Sequence, residues 1–321
     1  MTVDGTPTGT TTDDAGQGAE RLAHLLHVLD VTPRGTAQEA SSGTNVGDDL
    51  FTGETLHQPN GRVYGGQVLA QALTAAWRTV GGPEGAGTGT RLPHSLHGYF
   101  LRPGDLDVPV DLTVERLRDG GSFSARRTHA IQHGRPILSM IASFQEQQDG
   151  VEFQATMPRD VPAPEDVPSA LDTLGGIDHP QARHWSHDSA FEVRHVEGAL
   201  FLGPAAVRSD RQHVWVRSRG SVPDDQFLHR ALLLYACDQL MLEPVLRVSG
   251  HAWSSPGMSM ASLDHAMWWH RDVRVDDWLL FEQEASSAQG GRGLASARVF
   301  TRAGVLVASM GQEGMIRLPA A

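Results

Sequence analysis

Cysteine is nearly absent from this chain. Cys237 stands alone, so no disulfide can form within the chain, which fits a reducing compartment. Basic charge is scarce too: 26 Lys and Arg against 38 Asp and Glu leave a formal net charge of −12. No cluster of cations offsets it, and a nucleic-acid partner, which needs a basic stripe, is not expected. No apolar run approaches the roughly 20 residues that span a bilayer. The opening MTVDGTPTGTTTDDAGQG has neither the basic nor the apolar segment of a signal peptide. These absences together predict a cytoplasmic protein with no membrane insertion. What remains is ordinary globular material, 321 residues with 40% apolar and 20% charged, enough for two domains with sizeable cores.

The most telling stretch is FLHRALLLYACDQLMLEP, Phe227 to Pro244. It reads as one helix, apolar on nearly every side and therefore buried. Asp238 falls on its stripe of Ala231, Leu234, Tyr235, Met241 and Leu242, following the i, i+3, i+4, i+7 spacing. A carboxylate there must be hydrogen-bonded or paired. Two readings stand: a structural network, or an acid–base group at a reaction centre.

Residues 1–18 hold almost nothing to bury and read as a disordered tail. A helix follows at Ala19–Val31, then a polar loop from Thr32 to Asn45, then strand and turn at Asp48–His57. Gly65-Gly66 precede a second Ala- and Leu-rich helix, QVLAQALTAAWRTV, and Gly81–Thr90 is a flexible loop. From His94 the pattern becomes period two: SLHGYFLR, VPVDLTVERLRD, SFSARRTHAIQ and PILSMIASFQEQ, parted by short Gly and Pro turns. That is an antiparallel meander. Residues 149–184, rich in Pro, Asp and Gly, read as a linker. Strands then flank the Phe227 helix, and four more close the chain. The halves repeat one order, and locally Phe100-Leu101-Arg102 matches Trp269-His270-Arg271. The predicted class is α+β in two tandem units, 19–148 and 185–321, each a curved antiparallel sheet around a long apolar helix. The first helix has Gln71 and no carboxylate between Gln67 and Val80, so the duplicated fold manages without one there.

The stretches RVYGGQVLAQAL, HSLHGYFLRPGD, LRDGGSFSARR, IASFQ, GSVPDD, YACD, SLDHAMWWHR and GVLVASMGQEGMIR resemble, in order, the acyl-CoA thioesterase II (TesB-like) family over roughly residues 46–317. The resemblance implies a double-hotdog fold and hydrolysis of acyl-CoA to free fatty acid and CoA, with no cofactor. It also implies association of copies, a homo-oligomer of two or four chains, to which an exposed sheet edge would contribute. A water-activating trio carries over onto Asp238 of YACD, Ser262 of ASLDHAMWWHR and Gln312 of ASMGQEG. The chain departs from the bacterial pattern in having Ser262 where that pattern has Thr; the hydroxyl is kept, its methyl is not.

Thioester hydrolysis needs a water, a base and donors facing the developing oxyanion. Asp238 suits the base, and Ser262 and Gln312, each both donor and acceptor, suit the orientation of water. Oxyanion donors are sought at helix starts, either Gly65, Gly66 and Gln67 or GSVPDD, where Asp224 or Asp225 competes as an N-cap. Arg102, Arg126 and Arg271 are candidates for CoA phosphates, or for structural ion pairs. Cys237 as nucleophile is rejected, because neighbouring helix residues point about 100° apart. Gly257–Ala261 lacks the last glycine of a nucleophile elbow. The 16 histidines complete no ligand set, so no metal is expected. Two rivals remain. An enoyl-CoA hydratase needs an Asp and His a few residues apart, whereas Asp264-His265 are adjacent; a non-catalytic acyl-CoA-binding protein needs no such trio.

Overall fold

The computed structural model describes residues 12–39, 41, 43–80 and 91–317. Among them one antiparallel sheet of 13 strands runs through the molecule. The first half contributes β1 (Thr32–Thr36), β2 (Asp49–Gly53), β3 (Arg91–Phe100), β4 (Val110–Asp119), β5 (Phe123–Gln132) and β6 (Arg135–Glu146). The second contributes β7 (Phe191–His195), β8 (Arg211–Ser218), β9 (Ser259–Ser262), β10 (Asp264–Trp269), β11 (Leu279–Gln289), β12 (Arg292–Thr301) and β13 (Leu306–Arg317). The spatial order is β1-β2-β4-β5-β6-β3-β10-β13-β12-β11-β8-β7, with β9 on β13. The halves join where β3 pairs β10, Ala266 opposite His97. Read outward from that join, β3-β6-β5-β4-β2 on one side is matched by β10-β13-β12-β11-β8 on the other. The period-two stretches became strands because alternate residues are buried, as on β13, where Met310, Gln312, Gly314 and Ile316 face inward.

The helices are α1 (Thr12–Leu29), α2 (Gly65–Arg78), α3 (Ala170–Leu174), α4 (Pro180–Arg183), α5 (Gln226–Cys237) and α6 (Glu243–Ser249). α2 packs on β3 to β6, α5 on α2 and β3, and α6 on β8, β11 and β12. α2 and α5 are antiparallel. The start of α2 meets the end of α5, and at the other end Trp77 stacks on Phe227 with ring centroids 3.9 Å apart. All residues of α2 from Gly66 to Ala76 are buried, which explains its all-round Ala and Leu content.

Three sequence readings need correction. Phe227–Pro244 is two helices, with α5 ending at Cys237 and α6 beginning at Glu243. Pro244 has no N–H to give Leu240 and fits only the first turn of a helix, not its interior; the Leu240 carbonyl instead accepts from the Glu243 N–H at 3.2 Å and from Gln283 Nε2 at 3.0 Å. Asp238 is therefore the C-cap of α5, not its middle. The expected tail 1–18 is helical from Thr12 onward, and α1 meets the rest of the molecule at Gly18, where a Cβ would lie 2.7 Å from Arg219 Cβ. Residues 1–11 and the Gly81–Thr90 loop lie outside the described residues. Thr32–Thr36, read as loop, is an edge strand on β2. All five of its residues are exposed, so no apolar alternation marks it.

The 149–184 stretch is a built strap. Met157, Val161 and Val167 pack on Trp215, Trp278, Leu280, Phe300 and Leu306, covering the outer face of the second half, before α3 and α4 turn back. Among the described residues no helix is long and apolar enough to cross a membrane.

Candidate active site

Asp238 is half-buried where four elements converge. Its Oδ1 accepts from Ser262 Oγ and from Gln312 Nε2, both at 2.9 Å. Its Oδ2 accepts from the Gly66 N–H at 3.0 Å. Gln312 Nε2 also donates to Ser262 Oγ at 2.8 Å. The three polar residues picked from sequence are thus one hydrogen-bonded cluster. Each arrives by a distinct local rule. Asp238 ends α5 because Pro244 stops the helix soon after. Ser262 closes the short β9. Gln312 takes an inward position of β13 and is wholly buried.

The glycine pair explains how a helix start reaches the carboxylate. A Cβ on Gly65 would lie 2.6 Å from Asp238 Oδ2, and one on Gly66 2.4 Å from the Tyr235 carbonyl oxygen. No residue larger than glycine fits either contact, so α2 presents its first turn, the positive end of its dipole, to Asp238. Asp238 meanwhile caps the negative end of α5, so the two helix ends act on it in opposite senses. Tyr64 locks the junction by donating from its hydroxyl to the Tyr235 carbonyl at 2.6 Å. Burial first, then the adjoining Asp238 charge, pushes the Tyr64 phenol well above its usual range, so it stays a donor. The same two causes push the Cys237 thiol well up; Cys237 is buried and is no thiolate nucleophile.

A cavity of about 940 Å³ opens onto Asp238, Ser262 and Gly65. Its inner wall is apolar, with Val68, Leu138, Phe201, Trp253 and Met260. Its exposed rim is polar and carries Asn60, Arg62, Arg102, His179 and Gln181. The end of the strap, His179 to His184, and the adjoining Trp185 supply one wall, with Trp185 stacked on Phe201 at 4.7 Å.

The other picked residues separate. Gln67 is buried behind Gly66: its Oε1 accepts from the Leu56 N–H and its Nε2 donates to the Glu54 carbonyl, both at 3.0 Å. It does not line the cavity. Arg102 does, while its Nη1 donates to the Pro136 carbonyl at 2.6 Å. Arg271, its counterpart, makes the equivalent bond to the Leu306 carbonyl at 3.0 Å and lies away from the cavity. Arg126 is wholly buried and paired with Asp119 at 2.8 Å, a structural contact. GSVPDD is at the wrong end of α5. That helix spans 12 residues, about 18 Å, and there Asp225 is an N-cap, accepting from the Phe227 N–H at 2.8 Å. Sequence reasoning missed Arg62 on the rim and His265 behind Gln312. The signal for His265 was available: on β10 it shares a parity with buried Met267 and Trp269. Among the described residues no group of three or more His, Cys, Asp or Glu is placed to hold a metal.

This architecture matches solved proteins. A protein of Alicyclobacillus acidocaldarius described as having a hot dog fold superposes with a TM-score of 0.71 at 18% identity, covering 92% of this chain and 99% of that one. The fold is therefore of the hotdog class. The acyl-CoA thioesterase II TesB2 of Mycobacterium marinum superposes with a TM-score of 0.70 at 37% identity, over 92% and 99% of the two chains. Acyl-CoA thioesterase 2 of Haemophilus influenzae is 36% identical over 300 residues, 92% of this chain and 98% of its own. Family models for acyl-CoA thioesterase and for the acyl-CoA thioesterase N-terminal domain match residues 183–315 and 55–145. The chain belongs to the acyl-CoA thioesterase family, a thioester hydrolase as its motifs implied.

Proposed function

We propose that the chain hydrolyses acyl-CoA at the Asp238 cluster, with Asp238 as general base and Ser262 and Gln312 orienting water and carboxylate. The observation that carries this reading is the convergence of all three, and of the start of α2, on one wall of an apolar cavity. Asp238 Oδ1 holds two hydrogen bonds and Oδ2 one, so Oδ2 keeps a lone pair for a water proton. The water oxygen attacks the thioester carbonyl carbon as Oδ2 takes its proton. The C–S bond of the tetrahedral intermediate then breaks, and the CoA sulfur leaves with the proton that Oδ2 had taken, which restores the Asp238 carboxylate. The Gly66 N–H is committed to Asp238, so the oxyanion faces the Gly65 N–H and the dipole of α2. The apolar wall takes the acyl chain. Arg62 and Arg102 on the rim take CoA phosphates; Arg271, remote from the cavity, has a structural role.

The test is release of free thiol from acyl-CoA of short to long chain by the purified protein, alongside loss of enoyl-CoA absorbance. Thiol release with stable enoyl absorbance supports the reading, and tight binding without release supports a non-catalytic carrier instead. We also propose that 19–148 and 185–321 are two tandem hotdog domains joined by 149–184, supported by the matched strand orders. Finally, we propose a homo-oligomer of two or four chains. Tyr99, Ile141 and Trp268 stand exposed on the central strands, and a monomeric mass by light scattering refutes it.

A further inference from the structure

Behind Gln312 sits a histidine that hydrolysis, as described, does not use. His265 is 1% exposed, and its Nδ1 lies 2.6 Å from Gln312 Oε1. An amide oxygen only accepts, so Nδ1 carries the proton. Nε2 is then unprotonated; it lies 3.4 Å from Cys237 Sγ, whose S–H donates to the Leu234 carbonyl at 3.1 Å. Burial lowers the pKa of His265 from its ordinary value, so the ring is neutral and has one N–H to give.

We propose that His265 is a positioning residue whose Nδ1–H fixes the Gln312 amide with its nitrogen toward Asp238 and thereby sets the direction of the Gln312 and Ser262 hydrogen bonds at Oδ1 of the carboxylate. The polarity follows bond by bond. With Oε1 held by His265, Nε2 must face Asp238 Oδ1 at 2.9 Å and Ser262 Oγ at 2.8 Å. Because Ser262 Oγ accepts from Nε2, its own proton goes to Asp238 Oδ1. Turned over, the amide would set Oε1 against Oδ1 with no proton between them, and its N–H₂ against the Nδ1–H. One buried donor therefore excludes the arrangement in which Asp238 loses a hydrogen bond and Ser262 is free to turn away.

This inference rests on reading Asp238 as the base, and its tests separate the two. In the wild-type protein, ¹⁵N spectra of the imidazole should show His265 neutral and protonated at Nδ1; protonation at Nε2 overturns the proposal. His265→Leu removes the donor and keeps an apolar bulk. Its kcat should fall about 10- to 100-fold with KM changed less than about threefold, as for outer-sphere partners at other sites. His265→Asn places a nitrogen at the same bond count from Cβ as Nδ1, and should hold kcat within about threefold of wild type. A folded Leu variant with wild-type kcat overturns the proposal, as does a folded Asn variant that falls as far as Leu. If the Leu variant does not fold, the Asn variant and the tautomer decide. Asp238→Asn is assayed alongside: if it stays active the base reading fails, whereas an inactive Asp238→Asn with an active His265→Leu overturns this inference alone.

Discussion

Gly66→Ala tests whether the start of α2 acts on the carboxylate. The added Cβ would lie 2.4 Å from the Tyr235 carbonyl oxygen and 2.6 Å from the Tyr64 ring. A normal contact is about 3.4 Å or more. The Tyr235 oxygen is backbone at the end of a buried helix, so α2 must retreat by roughly 1 Å, the difference between those distances. The Gly66 N–H to Oδ2 bond, now 3.0 Å, then opens beyond hydrogen-bond range. A hydrogen bond to a charged group contributes about 1.5–3 kcal/mol, which corresponds to about 10- to 150-fold in rate when it orients the base. Alanine is the better helix former by about 1 kcal/mol, so part of the strain is offset and the protein should still fold. The assay is steady-state thiol release with a thermal melt of the same sample. A variant that still folds, with a lowered melting temperature and with kcat down at least tenfold, is expected. Unchanged kcat in the folded variant would refute the idea that this helix start holds Asp238.

Ser262→Ala should lower kcat on the order of 100-fold, as for other deleted polar groups that orient a reacting centre. Ser262→Thr, which restores the methyl of the bacterial pattern, should stay within about threefold of wild type; thiol-release kinetics on both variants check this. Acid should destabilise the fold well before its carboxylates titrate. Burial lowers the pKa values of His94, His129, His184, His229, His265 and His270. The unfolded chain takes protons near pH 6.5 and the folded chain only lower, so stability is complete above about 6.5 and is lost as pH falls through the folded values. His229 and His265, at most 1% exposed, are the most buried of these and contribute to that loss. Melting temperatures at pH 7.5 and 5.5 test it; a flat or rising profile contradicts the account.

The legible part of the fold was the part with an apolar period. β4, β5, β6, β11, β12 and β13 bury alternate residues, and α2 is apolar all round, so pattern and structure coincide. β1 pairs through its backbone alone and left no pattern. The break at Asp238 was hidden because the apolar stripe continues across it through Leu240, Met241 and Leu242; Pro244 was the stop signal, and it acts several residues upstream. Why Glu243 survives there was also illegible: its partner His195 lies 2.9 Å away but 48 residues back along the chain. Burial pushes Glu243 up, and His195, Trp253 and Gln212 together outweigh it and hold the carboxyl below its usual value. At the site, Asp238, Ser262 and Gln312 came from motifs, and the structure puts them in contact. Their orientation came from residues no motif singled out: the close approach at Gly66, and His265 as a lone polar side chain on an apolar strand face. Arg271 matched Arg102 in sequence because each clamps the start of a neighbouring strand of the sheet, Arg102 that of β6 and Arg271 that of β13, a repeat of architecture rather than of binding.

The central claim is that Asp238 takes the proton of the attacking water. Asp238→Asn keeps the shape of the side chain and an acceptor for Ser262 while removing the base. With near-UV circular dichroism and the thermal melt as controls for folding, single-turnover thiol release from acyl-CoA should fall by at least about 10³-fold, with substrate binding retained. A folded Asp238→Asn protein that releases CoA within tenfold of the wild-type rate would contradict it.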